Sequence, residues 1–526
     1  MQDVIKTTKE SEDFPIRRKF IRRPDLPALL RLQIAFAALM AQKCKCWGTI
    51  TALAREYVIS RTFIYFLANT LEQTNEIMFG SPKLQNPKNE LKLTFSYMLS
   101  LRFEGRCSIG SSSTIMKRFV IDLSSEGSIS QYVAYFGSIV PDTVNRVNDE
   151  MQVVVFASDE IFAKIQPILI TVDPLSSAIL RIELSDTRKS QDWQNHWDSL
   201  IKNGYYPSYI VCDQGIGLCS AKKELLPEVI LQTDTYHAIA HLLGHWVIRL
   251  EKSAYKAITD EYECEKKLDS ARSDQVIDKR IAQFEKAQRL ANEKTELYDS
   301  FNYLYHCIIG ELRIFDSNGK LRDRKTAKEN IEAGLNLIET LNNKNLNAAS
   351  KKVRRALPQL LNYFDIASDV IAKLQQTDIN NNELEALCMA WQWNKCVLKA
   401  KKSERKRYCA GEEQFWLDYA ADYFEDGFDH IKEQVYHELD HIVQSSAIVE
   451  CINSIVRPYL NNSKNQITQE TLNLIMFYHN HRRYKDGKRK KSTPMELLTG
   501  KPQKQDWIEL LFALVEEKDP SFFQRR

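Results

Sequence analysis

Between residues 151 and 250 the apolar residues fall in short β-branched runs, and on either side of that stretch they recur at helical spacing. Val153 to Phe156 predicts a buried strand that ends at Asp159. Ile165 to Val172 predicts a second strand, Asp173-Pro174 a turn and Ala178 to Ile182 a third. An amphipathic helix from Ser190 to Asn203, carrying Trp193 and Trp197, leads to a fourth strand, Tyr209 to Cys212, which ends at Asp213. Gln214-Gly215-Ile216-Gly217 reads as a loop, Ser220 to Leu225 as a helix and Val229 to Gln232 as a fifth strand. A helix then runs from Asp234-Thr235-Tyr236-His237 through Leu250. The order is βββαβαβα, with acids closing the first and fourth strands.

Upstream, Leu26 to Gln42 and Trp47 to Tyr57 predict helices, Val58-Ile59 a turn and Ser60 to Leu71 a third helix. A short helix, a tight turn and a second helix have the spacing of a helix-turn-helix, with Ser60, Arg61, Thr62 and Tyr65 opening its recognition helix. Ser111-Ser112-Ser113 predicts a cap for a helix through Phe119. Ser128 to Tyr135, a turn at Gly137 and a helix from Pro141 to Glu150 predict a second such unit, with a helical scaffold as the plainer alternative.

Downstream, residues 251–435 are nearly all helix-periodic, with a long, partly coiled-coil helix over Asp278 to Tyr305. From His437 the pattern continues as helix through Glu450 to Leu460, and Thr468 to His481 gives another. The expected organisation is an arm over 1–23, a helical region over 24–150, an α/β core over 151–250, an all-helical insertion over 251–435, the remainder of the core over 436–485, and a basic loop with helices over 486–526.

A net charge of +3 does not by itself announce a polyanion partner, so local clusters must make that case. Three exist. Arg17, Arg18, Arg22 and Arg23 close the N-terminal arm. Lys401, Lys402, Arg405 and Arg407 lie beside Trp391, Trp393 and Tyr408, a mixture suited to phosphate contact and base stacking. Arg482, Arg483, Lys488 and Arg489 form the third. Eleven scattered cysteines are an odd number, which points to reduced thiols inside a cell. The charged N-terminus lacks the apolar stretch of a secretory signal, and no apolar run reaches the roughly 18 residues of a membrane span. A cytoplasmic protein with no membrane partner is expected.

Asp159 and Asp213 end neighbouring strands, so their oxygens are expected to converge, and Glu450 supplies a third acid from a helix. Three carboxylates are hard oxygen donors suited to Mg²⁺ or Mn²⁺, and two such ions suit attack on phosphorus without a nucleophilic side chain. Glu438 and Asp440 are rival third acids on what reads as the same helix. His437-Glu438-Leu439-Asp440-His441 also matches the H-E-x-x-H zinc-peptidase pattern, although Asp440 stands where such helices carry an apolar residue. His237, His241 and His245 recur every four residues and read as structural histidines.

Over residues 150–245 and 440–510 the chain resembles the DDE transposases of bacterial insertion sequences. The resemblance rests on Ser158-Asp159-Glu160, Val211-Cys212-Asp213-Gln214-Gly215, Asp234-x-x-His237, Glu450-x-x-Asn453-x-x-x-Arg457 and Phe477-Tyr478-x-Asn480-x-Arg482. It implies a ribonuclease H-like catalytic core, a mixed five-stranded sheet, interrupted by a helical insertion and preceded by tandem helix-turn-helix units. It implies that Asp159, Asp213 and Glu450 form the catalytic triad and hold two Mg²⁺ or Mn²⁺ ions, with Asp234, His237, Asn453 and Arg457 in support. It further implies cleavage and strand transfer of double-stranded DNA, element ends and target, by a homodimer or higher assembly at the bacterial nucleoid. A domesticated DNA-binding relative that no longer cuts is the alternative, and the presence of all three acids argues against it.

Overall fold

The computed structural model describes residues 25–79, 87–144, 150–213, 215–377, 379–423, 427–486 and 489–524, with the backbone alone for 76–79, 87–89, 236 and 237. The chain divides into two compact units, Met1–Leu93 with Phe523–Arg526, and Thr94–Phe522.

In the first unit, helices α1 (Ala28–Lys43), α2 (Thr49–Glu56) and α3 (Arg61–Phe79) surround a core that includes Ile34, Ala38, Ile64, Leu67 and Ala68. The chain turns between α2 and α3 through Val58, whose φ of 49° lies in the left-handed region, and Ile59 plugs the core behind it. Ser60 Oγ accepts the Phe63 N–H at 3.2 Å, which caps α3 and fixes its first turn. Phe63 and Ile64 turn inward, so Ser60, Arg61, Thr62 and Tyr65 are left exposed on the opposite side. The residues expected to open a recognition helix therefore share one open surface.

The boundary between the units falls inside α4 (Pro87–Leu99), not at residue 150. The second expected helix-turn-helix lacks its turn at Gly137 and a helical start at Pro141, and residues 145–149 of its second helix lie outside the described residues. Helix α5 (Ile109–Arg118) is capped by Ser108, whose Oγ accepts the Ser111 N–H, and the serines at 111–113 lie within it. Helix α6 (Glu126–Ile139) runs straight through Gly137, and residues 141–144 are not helical but reach a bridge from Thr143 to Arg181. Gly137 is there for close approach: a Cβ at this position would lie 2.1 Å from the Glu470 carbonyl oxygen.

The centre of the second unit is a mixed five-stranded sheet in the order β3-β2-β1-β4-β5. Its strands are β1 (Gln152–Ala163), β2 (Gln166–Val172), β3 (Ile179–Leu184), β4 (Tyr205–Cys212) and β5 (Ile230–Thr233), with helix α7 (Ser190–Lys202) between β3 and β4 and α8 (Ile216–Leu225) between β4 and β5. β1, β2 and β3 are antiparallel neighbours, whereas β1–β4 and β4–β5 are parallel. Crossover helices make the parallel pairs possible, because two parallel strands cannot be joined by a tight turn.

After β5 a π-helical turn (Tyr236–Gly244) leads into α9 (His245–Asp269) and the long α10 (Asp274–Glu311). Then follow α11 (Arg324–Thr340), α12 (Lys344–Leu360), α13 (Tyr363–Leu374), α14 (Asn381–Lys399), α15 (Ser403–Ala421) and α16 (Phe428–Asp440). These helices have a core of their own, which includes Phe301, Ile331, Leu335, Val353, Leu387 and Leu439. The insertion is rooted on the sheet at the α12–α13 corner. Gln232 of β5 donates to Leu360 O at 2.9 Å and accepts the Tyr363 N–H at 2.7 Å, and Ile366 packs against Val155, Tyr209 and Val211.

The chain returns through α17 (Ala447–Asn462) and α18 (Gln469–His481), and ends with α19 (Pro494–Thr499) and α20 (Trp507–Lys518). Strand β3 is the edge of the sheet, and α18 covers it with side-chain amides. Asn480 Oδ1 accepts the Ile179 N–H and its Nδ2 donates to Ile179 O, both at 2.9 Å, while Gln469 does the same for Leu184 N and Ile182 O. The amides replace a missing strand and close an edge that would otherwise pair with another chain.

A buried polar network crosses the α7 side of the sheet. Trp197 Nε1 donates to Ser158 Oγ, Ser158 meets Thr171, and Thr171 meets His196 Nε2 at 3.1 Å. His196 Nδ1 faces Glu183 at 2.9 Å, and Arg181 also bonds Glu183 at 3.1 Å. Complete burial keeps His196 below its usual pKa and hence neutral, so its Nδ1–H donates to the carboxylate. For Glu183 burial pushes upward, but the His196 bond and the Arg181 charge outweigh it and hold the carboxyl down at about 2. A depressed folded-state pKa stabilises the fold fully above the ordinary value and loses that contribution as pH falls toward the folded one. The unfolding free energy should therefore drop by roughly 2 kcal/mol between pH 4.5 and 2, read as a falling urea midpoint, and Glu183→Gln should flatten that drop. An identical acid profile in the variant would refute the assignment.

Candidate active site

The site begins at the register of two parallel strands. Ala157 of β1 stands opposite Val211 of β4. Side chains alternate with a period of two, so Asp159 and Asp213, each two residues further on, continue the same face at the same level. Asp159 is not at the end of its strand, as expected from sequence, because β1 continues to Ala163 paired with β2 alone. Asp159 lies where β1 outruns β4, and Asp213 directly follows the last residue of β4. Asp213 is oriented by its own loop, its Oδ1 accepting the Gly215 N–H at 2.8 Å.

The third acid arrives on α17. The helix expected to run unbroken from His437 is broken: α16 ends at Asp440 and α17 starts at Ala447. Glu438 and Asp440 are thus not on the helix that carries Glu450. Asp440 accepts bonds from Trp391 Nε1 at 2.7 Å and Lys395 Nζ at 2.5 Å, which ties it to α14. The link between the helices is stitched to the sheet. Tyr209 OH donates to His441 O and accepts the Val443 N–H, and Thr235 bonds Gln444 O through both its N–H and its hydroxyl. Asp234 completes the latch, its Oδ2 accepting Ser446 N–H at 2.9 Å, Ser446 Oγ at 2.5 Å and Ser445 Oγ at 3.3 Å.

The latch aims the first turn of α17, and hence Glu450, at β1. Asn453, one turn on, donates from Nδ2 to Asp159 Oδ2 at 3.2 Å. Its Oδ1 is buried and without a hydrogen-bond partner among the described residues. Glu450 is half exposed, with Arg457 3.9 Å away. The three acids lie within electrostatic reach: burial first, then the charges of Asp213, Glu160 and Glu450, push the Asp159 carboxyl up to about 7.

As placed, no three His, Cys, Asp or Glu side chains among the described residues form a closed metal-ligand group. The donor set of the triad nonetheless suits a hard cation. It offers three carboxylates whose mutual repulsion a cation would relieve, beside an amide oxygen with nothing to accept from. The H-E-x-x-H segment is less suited. His437 and His441 are stacked edge to face, centroids 5.0 Å apart, but His441 Nδ1 bonds the His437 carbonyl and Asp440 is engaged elsewhere. In the same way His245 Nδ1 bonds the His241 carbonyl.

The basic clusters separate. Lys401, Lys402, Arg405 and Arg407 are all exposed, at the tip of the α14–α15 hairpin. Arg482 is partly buried, whereas Arg483 is exposed but engaged by neighbouring groups. Arg482 is wedged between Tyr478 and Tyr484, and Arg483 forms a two-pronged pair with Glu496 and bonds Gln503 O. Arg489 also lies over the Tyr484 ring, 5.0 Å from its centre. Arg17, Arg18, Arg22, Arg23, Lys488 and the His237 side chain lie outside the described residues.

No family model matches the chain, and no curated protein matches it. Among solved structures it is similar to the Drosophila P element transposase strand transfer complex, at 12% identity over 87% of this chain and 100% of that one, with a TM-score of 0.26. A likeness at that score carries no argument about fold or activity. No helix among the described residues is long and apolar enough to cross a membrane.

Sequence reasoning missed the break before α17 and the role of Asp234 in setting it. The Ser445-Ser446 pair was the available signal, since such residues gather at helix starts. Replacing Asp234 with Ala should leave the Ser446 N–H without an acceptor and loosen the start of α17. Amide exchange over 444–450 should rise by about tenfold or more while β1–β2 amides stay protected. Unchanged exchange at 444–450 would remove the latch from the account.

Proposed function

We propose that the chain is a transposase with a ribonuclease H-like core, which cuts double-stranded DNA and joins 3′ ends through Asp159, Asp213 and Glu450. One observation carries the reading. Acids from two adjacent parallel strands, Asp159 and Asp213, and from a helix that carries Glu450, 237 residues beyond Asp213, are held in one another's fields by a dedicated latch. A purely structural role does not account for gathering three carboxylates at the open end of a sheet, because their repulsion works against folding. The strand order, in which β2 alone runs against the direction of the other four strands, supports the same fold.

In this reading Asp159, Asp213 and Glu450 hold Mg²⁺ or Mn²⁺. Two such ions would ready a water or a 3′-hydroxyl for in-line attack on phosphorus and stabilise the departing oxygen. The protein's own contribution is placement. Asn453 fixes the rotamer of Asp159, the Gly215 amide fixes Asp213, and Asp234 sets the angle at which Glu450 approaches. The exposed face of α3 and the α14–α15 hairpin tip offer cations and an aromatic for DNA phosphates and bases. Pairing of two copies on paired DNA ends belongs to the same proposal.

The deciding experiment is Mn²⁺-dependent nicking of supercoiled plasmid, and strand transfer with oligonucleotides copied from the DNA flanking the gene. Asp159→Asn, Asp213→Asn and Glu450→Gln should each abolish both and leave DNA binding intact, and Glu438→Gln should abolish neither. Activity surviving in the first three would sink the proposal.

A further inference from the structure

Beyond Ala157 the β4 side of β1 has no strand partner among the described residues, and Glu160 sits on that bare length. Its side chain is only 8% exposed, yet it bonds the guanidinium of Arg188, which is 60% exposed. Arg188 also lies over the Phe162 ring, 5.3 Å from its centre, and feels the charge of Asp213. Two glycines make this approach possible. A Cβ at Gly217 would lie 2.2 Å from the Arg188 carbonyl oxygen, and one at Gly215 would lie 2.9 Å from Asp213 Oδ1. The loop after β4 therefore clamps the backbone of Arg188 at a fixed offset from Asp213.

Glu160 divides two open cavities. One, of about 540 Å³, is lined by Arg188, Lys189, Ser190 and Trp193, and the other, of about 270 Å³, by Phe162, Arg457 and Asn461. Cations thus flank the carboxylate of Glu160, the neighbour of Asp159 along β1, from both cavities. The pair is open to solvent on the Arg188 side, so its guanidinium can be reached by a second anion. Glu160 also worsens the crowding of negative charge around Asp159. Its carboxylate is, however, an anion held against a guanidinium in the place where a DNA backbone has to pass. Arginine binds carboxylate and phosphate oxygens with the same donor fork.

We propose that Arg188 is the seat for a backbone phosphate next to the reacting one, and that Glu160 fills that seat until DNA displaces it. This rests on the reading of the chain as a DNA-cutting enzyme, but it makes a prediction about binding alone. The two residues act with opposite sign. Losing Arg188 removes a phosphate contact. Losing the charge of Glu160 removes a competitor and a repulsive neighbour.

The test is the affinity for a fluorescent duplex of arbitrary sequence, measured against salt without divalent metal in an Asp159→Asn background. Arg188→Gln should weaken binding several-fold and lower the slope of log K against log salt by about one. Glu160→Gln should tighten binding several-fold. The double variant should match Arg188→Gln, since the gain from freeing the seat requires the seat. Arg188→Lys, which keeps the charge, should keep the salt slope, and matching melting temperatures exclude misfolding as the cause. Both single variants weakening binding, or neither changing it, would overturn the proposal and leave the pair as a structural contact. Because no cleavage is read, that outcome is separate from failure of the carboxylates to cut DNA.

Discussion

Asp159→Asn should eliminate DNA cutting and at the same time leave the protein as stable as before, or more so. The substitution keeps the shape and the Asn453 contact but removes one negative charge from a mostly buried position beside Asp213, Glu160 and Glu450. Activity should fall by a factor on the order of a thousand or more, equivalent to roughly 4 kcal/mol of barrier. The melting temperature should hold or rise, because the burial and, after it, the repulsion that drive the Asp159 carboxyl up to about 7 both disfavour its charged form in the fold. Asp213→Asn should behave alike. A thermal scan beside the nicking assay reads both quantities. Loss of activity with a large drop in melting temperature would mean that the carboxylate is structural.

The largest stability effect is expected at Gly137. Within a helix, Gly→Ala ordinarily stabilises by about 1 kcal/mol. At Gly137 the new methyl would meet the carbonyl oxygen of Glu470 at 2.1 Å and its carbon at 2.5 Å. Both are backbone atoms, so no side chain can swing aside and α6 has to part from α18. That separation would also pull Asn473 from the Gly137 and Val140 carbonyls, which it bonds at 3.0 Å. Overpacking of this kind costs about 3 kcal/mol or more and wins over propensity. Gly411 is the control, since it lies inside α15 with nothing within 4 Å of an added Cβ. Gly411→Ala should be neutral or stabilising. Equal urea midpoints for the two variants would show that the α6–α18 contact yields readily.

These two glycines also mark what a sequence can and cannot disclose. Gly137 reads as a turn because glycine breaks helices, and only a partner more than three hundred residues away shows that it is a point of contact instead. The strands were legible because Val153–Phe156, Ile168–Val172 and Ile210–Cys212 are dense apolar runs with acids or turns after them. The continuation of β1 past Asp159 was not, since Glu160 is polar and is held by Arg188 from another element. The gap between α16 and α17 was hidden by Ile442 and Val443, which prolong the apolar periodicity while the backbone is fastened to Tyr209. Arg482 looks like solvated charge in one dimension, and the two rings that enclose it appear only in three.

The latch at Asp234 and Thr235 has a consequence for the length of the molecule. The helical excursion leaves the sheet and comes back to it at adjacent points, so whatever lies between need not span any distance. Lengthening or trimming such a detour carries only a slowly growing entropic penalty. Its outer hairpins, α9–α10 and α14–α15, are then open to change in size, whereas the α12–α13 corner is not, because Gln232 and Ile366 seat it as a roof over the strands. Separation along the chain between the second and third carboxylates is accordingly no guide to their separation in space.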